Sequence, residues 1–253
     1  MSAESKTRMT EGSISRQIIL FAIPLFLGNL FQQLYNTADS LIVGNFLGSN
    51  ALAAVSSSGN LIFLMVGFIN GIAMGAGVVI ARYYGAKNRE DLQKVIHTTV
   101  AFGLAAGLAL TAIGMYLAPK ILVLMGTPDD VIDLAVLYLR IYFLGMPFIL
   151  LYDFCSSILR STGDSRRPLY ALIAAGVINT GLNLILVIAF HLGVSGVAIA
   201  TVVSNIVSSG ILIYILLHED DPIRLEPKAL AISWHELKKI LVIGVPAGLQ
   251  GIY

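Results

Sequence analysis

Four stretches of this 253-residue chain, 17–38, 40–81, 98–119 and 168–218, contain no Asp, Glu, Lys or Arg. A helix crossing a bilayer needs about 20 mainly apolar residues. The first and third stretches each fit one such helix, and the other two must hold more. Turn signals divide them: "NFLGSN" (45–50), "YYGAKNRED" (83–91), "MGTPDD" (125–130), "STGDSRRP" (161–168) and "HLGVSG" (191–196). The division predicts spans near 17–46, 51–81, 95–118, 131–158, 168–190 and 195–217, with a seventh helix opening at about 236. Spans of about 30 residues exceed the bilayer thickness, which implies tilt or protruding ends. Only 12% of the chain is charged, against about 25% in soluble domains. That excludes disorder, nucleic-acid binding and nearly every water-soluble enzyme. A net charge of +1 offers no bulk attraction to a polyanion, and a lone Cys155 excludes an internal disulfide or a multi-cysteine metal site. The expected fold class is an all-α membrane protein.

The basic residues orient the bundle. Lys6, Arg8 and Arg16 precede span 1, and Arg82, Lys87, Arg89 and Lys94 follow span 2. Arg160, Arg166 and Arg167 follow span 4, and Arg224, Lys228, Lys238 and Lys239 follow span 6. Fourteen of the 16 bases thus fall on one side, leaving Lys120 opposite and Arg140 within span 4. The positive-inside rule makes that side, and the N-terminus, cytoplasmic. The expected layout is a cytoplasmic tail (1–16), a six-helix lobe (17–217), a solvated linker (218–233) and the start of a seventh helix (234–253). In that linker, "SWHE" (233–236) has the S-x-x-E capping-box form and predicts a helix from Trp234.

An internal repeat bears on the architecture. "IILFAIPLFL" (18–27) resembles "ILVIGVPAGL" (240–249), and the offset of 222 is the same for Pro24 and Pro246 as for Ile18 and Ile240. Both copies enter from the basic side, which requires parallel repeats about an axis along the membrane normal. The repeat predicts a whole protein of roughly 450 residues, with this chain carrying the first lobe and the start of a second.

Ionisable groups cost about 2.5–3.5 kcal/mol at the centre of a span. Three lie well inside: Asp39, Arg140 and Asp153. Asp39 belongs to a polar stripe with Asn29, Gln32, Gln33, Asn36 and Ser40, at helical spacing on one face of span 1. Lipid cannot satisfy that face, so it must line a protein or water-filled interior. Span 5 carries Asn179 and Asn183, one turn apart, and span 6 carries Thr201, Ser204, Asn205 and Ser208. At 1.5 Å per residue, Asp39, Asn183 and Thr201 lie about 13, 12 and 9 Å below the external turns. A carboxylate, an amide and a hydroxyl at similar depth can hold a proton or a small hard cation. The alternative is interhelical hydrogen bonding without a ligand. Arg140 either pairs with an acid in the bundle or snorkels outward, and Asp153 pairs with Arg160 or walls a wet cavity. Pro24 and Pro147 are expected to kink spans 1 and 4, and Gly67, Gly71 and Gly75 to let a helix approach closely. The histidines, at 97, 191, 218 and 235, form no i, i+4 pair, and no hydrolase or metalloprotease motif occurs, so no enzyme is expected.

"FAIPLFLGNLFQQLYNTADSLIVGNFLGSNALAAVS" (21–56), "GIAMGAGVVIARYYGAKN" (71–88), "LRSTGDSRRPL" (159–169) and "VSGVAIATVVSN" (194–205) together resemble bacterial multidrug and toxic compound extrusion (MATE) transporters. The resemblance runs from about Gly12 to Tyr253. It implies a twelve-helix antiporter of two six-helix lobes in the bacterial cytoplasmic membrane, exporting cationic, often aromatic compounds in exchange for H⁺ or Na⁺. On that resemblance Asp39, Asn179, Asn183 and Thr201 form the coupling-ion site, and Gln32, Gln33, Asn36, Asn205 and Arg140 line the polar cavity. Several relatives carry an aspartate where this chain has Asn183, which lends weight to proton coupling through Asp39. No cofactor is implied beyond the coupling ion. The implied partners are the bilayer, a cationic small molecule and the missing C-terminal lobe. The alternatives are a lipid-linked oligosaccharide flippase, for which Arg140 is the only deep base available, a channel or non-transporting scaffold, and a 253-residue protein that dimerises to rebuild both lobes.

Overall fold

The computed structural model describes residues 14–219 and 223–250. The tail through residue 13, with Lys6 and Arg8, linker residues 220–222 and the last three positions lie outside the described residues. Eight α-helices follow in order: α1 (Ile14–Phe46), α2 (Ser49–Gly85), α3 (Arg89–Leu124), α4 (Ile132–Leu144), α5 (Met146–Ser161), α6 (Arg166–Leu184), α7 (Val194–Leu217) and α8 (Trp234–Gln250). α6 continues as a π-helical turn over Ile185–Ala189. Five helices are long and apolar enough to cross a membrane, and α4 with α5 makes a sixth span bent by 49°.

The turns form where small residues and caps stop the helices. Gly48 and Gly193 take φ of 91° and 66° ahead of α2 and α7, a backbone that L side chains adopt at a cost. Asn88 caps α3, its side chain accepting from the Asp91 amide at 3.3 Å, while Glu90 and Asp91 sit at the positive end of the helix dipole. α8 begins at Trp234 as expected, but not through a capping box. The Ser233 amide donates to Thr98 Oγ1 of α3 at 3.1 Å, and the Glu236 carboxylate accepts from the Tyr83 hydroxyl at 2.9 Å. Neighbouring helices supply partners that the local motif would otherwise have provided.

The fourth span breaks at Gly145, two residues ahead of Pro147. Pro147 lacks an amide donor and starts α5 instead of interrupting a continuous helix. Pro24, by contrast, lies within an unbroken α1. Packing against α3 receives the bent pair. A Cβ on Gly107 would stand 2.4 Å from Pro147 Cα, and one on Gly114 or Gly103 would strike the ring of Phe143 or Phe154. These glycines are notches into which the two halves of span 4 settle.

α2 carries a second set of notches. Cβ atoms on Gly71 and Gly75 would fall 2.1 and 2.5 Å from the backbone nitrogens of Gly248 and Gly244 on α8. The close approach expected of Gly71 and Gly75 is present, and the helix that uses it is α8. The main core joins α2, α3, α4, α5 and α7 around Ile80, Ile96, Leu139, Phe154 and Leu212, and Ile240 of α8 completes it. The linker is less solvated than expected. Ile223 and Leu225 are buried in this core, and the Leu225 amide returns to the Leu216 carbonyl at 2.9 Å. α1 is peripheral: only Pro24, Ile42 and Val43 are buried, and its main neighbour is α6.

Candidate functional site: a carboxylate between two amides

Four hydrogen bonds among the described residues join α1 to α6 and its head. Ser165 Oγ at the head of α6 donates to the Phe21 carbonyl at 2.9 Å, and the Tyr35 hydroxyl donates to the Ile173 carbonyl at 3.2 Å. Room for Tyr35 comes from Gly176, where a Cβ would lie 1.9 Å from the ring. One turn beyond Tyr35, Asp39 reaches the same helix. Asn179 Nδ2 donates to Asp39 Oδ2 at 3.2 Å, and Asn183 Nδ2 donates to Asp39 Oδ1. Asn183 also lies 3.5 Å from Asn179 Oδ1, at the limit of a hydrogen bond.

Asn183 is fully buried, and its Oδ1 has no hydrogen-bond partner. An orphaned carbonyl oxygen beside a carboxylate is acceptor surplus, the composition a small cation or a proton donor would satisfy. Among the described residues no cluster of three or more His, Cys, Asp or Glu could hold a metal ion. Any cation here would rely on one carboxylate and amide oxygens. The helix opens into its π turn at Ile185, two residues past Asn183, loosening the ladder beside the site.

The other expected residues fall in different places. Thr201 Oγ1 donates to Val197 O of its own helix at 3.1 Å and is not hydrogen-bonded to Asp39. Asn205 is half-buried one turn further along α7. Gln32, Gln33 and Asn36 are exposed on α1, with Gln32 Nε2 3.4 Å from Asn36 Oδ1. Arg140 is exposed, and its Nε donates to the Met115 carbonyl of α3 at 3.3 Å. Among the described residues no acid is ion-paired with it. Asp153 is likewise not ion-paired with Arg160, and its Oδ2 is buried without a partner. Tyr35 went unnoticed in the sequence because a tyrosine counts as apolar, yet it sits four residues before Asp39 on the same stripe.

A bundle of membrane-length helices holding a carboxylate between two amides, Asn183 buried and Asn179 half-buried, defines a multi-pass membrane protein with a polar site within its helices. The MatE family profile matches residues 24–185, and the chain belongs to that family. Its members are transporters, not enzymes. The chain is 38% identical to the probable multidrug resistance protein YoeA of Bacillus subtilis over 97% of its own length and 54% of that protein's. It is 27% identical to the multidrug export protein MepA of Staphylococcus saprophyticus, over 96% of its own length and 54% of the other's. Its fold matches, with a TM-score of 0.90 and 26% identity, a structure described as the outward-facing conformation of a multidrug resistance MATE family transporter. That match covers 100% of this chain and 56% of the other. The chain thus spans about half the length of the relatives it matches.

Proposed function

We propose that this chain forms the first lobe of a secondary transporter that exports cationic small molecules across a bacterial cytoplasmic membrane in exchange for H⁺ or Na⁺. The observation that carries the reading is the Asp39 carboxylate held by Asn179 and Asn183 beside an unpartnered buried amide oxygen. Inside a bilayer such a carboxylate is neutralised by a proton or a cation, so its occupancy follows the ion gradient. Binding of the ion at Asp39 biases one arrangement of the two lobes over the other, and the substrate binds between them. The second lobe is the part of the relatives' length that this chain does not span. The N-terminus and the basic ends of the helices face the cytoplasm.

The names of YoeA and MepA support a multidrug substrate range, and the exposed stripe of Gln32, Gln33 and Asn36 supplies a polar wall for the cavity. The test is dye accumulation by everted vesicles carrying the two-lobed protein, under an imposed pH or Na⁺ gradient. Asp39→Asn keeps the volume and removes the charge. It is expected to abolish gradient-driven uptake while leaving the protein folded in the membrane. Uptake that still responds to the gradient would remove Asp39 from the coupling mechanism.

A further inference from the structure

Two bases on the outer faces of α3 and α4 converge with no acid between them. The charge-free stretch 98–119 of α3 has the length that crosses the hydrocarbon, so Lys120 marks its edge. A lysine in that place ordinarily extends toward water. Lys120 instead turns back: its Nζ lies 4.6 Å from the centroid of the Tyr116 ring and donates to the Tyr116 hydroxyl at 3.4 Å. Beside Tyr116 is Met115, about 7 Å inside the edge, and its carbonyl accepts from Arg140 Nε at 3.3 Å. Arg140 faces away from the carboxylate site. Tyr138 packs with Ile42 and Val43 of α1, and Arg140, two residues on, points about 200° around α4 from it. There it is exposed among Leu137 and Leu144. Among the described residues neither base is ion-paired, and Asp133, on the same exposed face of α4, lies about 10 Å further out.

We propose that Arg140, Lys120 and Tyr116 form a binding site for the phosphate of an anionic phospholipid. With Nε on the Met115 carbonyl, Arg140 keeps both Nη groups for a pair of phosphate oxygens. The ammonium of Lys120 adds a second charge, and the Tyr116 hydroxyl, which accepts from Lys120, has its own proton left to donate. A base exposed at this depth is costly unless an anion meets it. A soluble anion would have to shed its water to reach Arg140, whereas a lipid phosphate is already at the edge of the hydrocarbon. The acyl chains then lie on the exposed Leu137, Leu144 and Ile113. Two bases favour a headgroup of net negative charge over one in which choline cancels the phosphate. On the orientation proposed above this lipid belongs to the outer leaflet. The site itself depends on the chain spanning a membrane and not on what it transports.

Quenching by brominated lipids reads the site directly in the two-lobed protein. A bimane is attached at Ile113→Cys, which is exposed on the Tyr116 and Lys120 side of α3, on a background without other reactive cysteines. The labelled protein is placed in phosphatidylcholine nanodiscs in which an equal fraction of lipid is brominated phosphatidylglycerol or brominated phosphatidylcholine. The expected result is a preference for phosphatidylglycerol of about fivefold or more beside the probe, since each base near the surface contributes about that factor. Arg140→Gln with Lys120→Gln is expected to erase the preference, and Arg140→Lys, which keeps the charge, to retain most of it. Millimolar inorganic phosphate is expected to change nothing. Equal quenching by the two lipids would overturn the proposal, as would a preference that survives in the double variant. Loss of the preference in millimolar phosphate would reassign the site to a soluble anion. Absence of quenching by either lipid would place this face against protein, and the proposal would fall.

Discussion

A carboxylate within a span meets a penalty of about 2.5–3.5 kcal/mol, and two amide donors offset part of it for Asp39. Removing one donor should therefore be felt. Asn183→Leu leaves Asp39 Oδ1 short of a partner in a buried place, which predicts destabilisation of about 1.5–3 kcal/mol by thermal unfolding in detergent. Asn183→Asp adds a second carboxylate to the same space, and two carboxylates bind a hard cation better than one. The variant is expected to make vesicle uptake more dependent on Na⁺ than the parent protein, measured by varying external Na⁺ at fixed pH. The meeting of Asp39 with Asn179 and Asn183 was legible in the sequence, because polar groups on apolar helices have only one another to bond. Thr201 was not, since a hydroxyl can satisfy itself on the carbonyl four residues back, as it does on Val197.

Glycines determine how the elements fit. On α2, Gly75 admits Gly244 of α8, and on α3, Gly107 admits Pro147. Gly75→Leu cannot be accommodated without moving the α8 backbone. The expected result is a weakened α2–α8 contact, read as a loss of about 1–3 kcal/mol in thermal stability in detergent. Gly107→Leu is predicted to cost about 1–3 kcal/mol or more in thermal stability, as overpacking against backbone allows little relief. The number and order of spans were readable from uninterrupted apolar runs, which few other structures can use. The break at Gly145 was not. Pro147 marked the neighbourhood, but where the helix parts depends on α3 offering its notches at Gly103, Gly107 and Gly114. A single-chain pattern does not carry that pairwise fit.

For the whole molecule, the ends of the helices give a direct check of topology. Cys155 is fully buried, so cysteines added elsewhere can be labelled against a quiet background. Lys87→Cys in the α2–α3 turn is expected to react with an impermeant maleimide only in everted vesicles. Thr127→Cys, in the turn after α3, is expected to react in intact cells. The reverse pattern would invert the bundle. The sole tryptophan, Trp234, is 69% exposed at the start of α8, where an indole suits the headgroup layer. Its fluorescence should be quenched more by lipids brominated near the glycerol than by those brominated near the chain ends. The expected sidedness rests only on the distribution of Lys and Arg. The buried linker did not follow from composition, because Ile223 and Leu225 are two apolar residues among many charges and only the α3 side chains reveal the fold-back.

The α2–α8 contact also limits where matter can travel. Along Gly71–Gly75 and Gly244–Gly248 the two backbones touch, with the Phe68 ring closing the end of the seam against Gly248. Neither a water file nor a lipid tail has width enough to enter such a seam. A path through this half of the bundle therefore runs elsewhere than between α2 and α8 along these glycines.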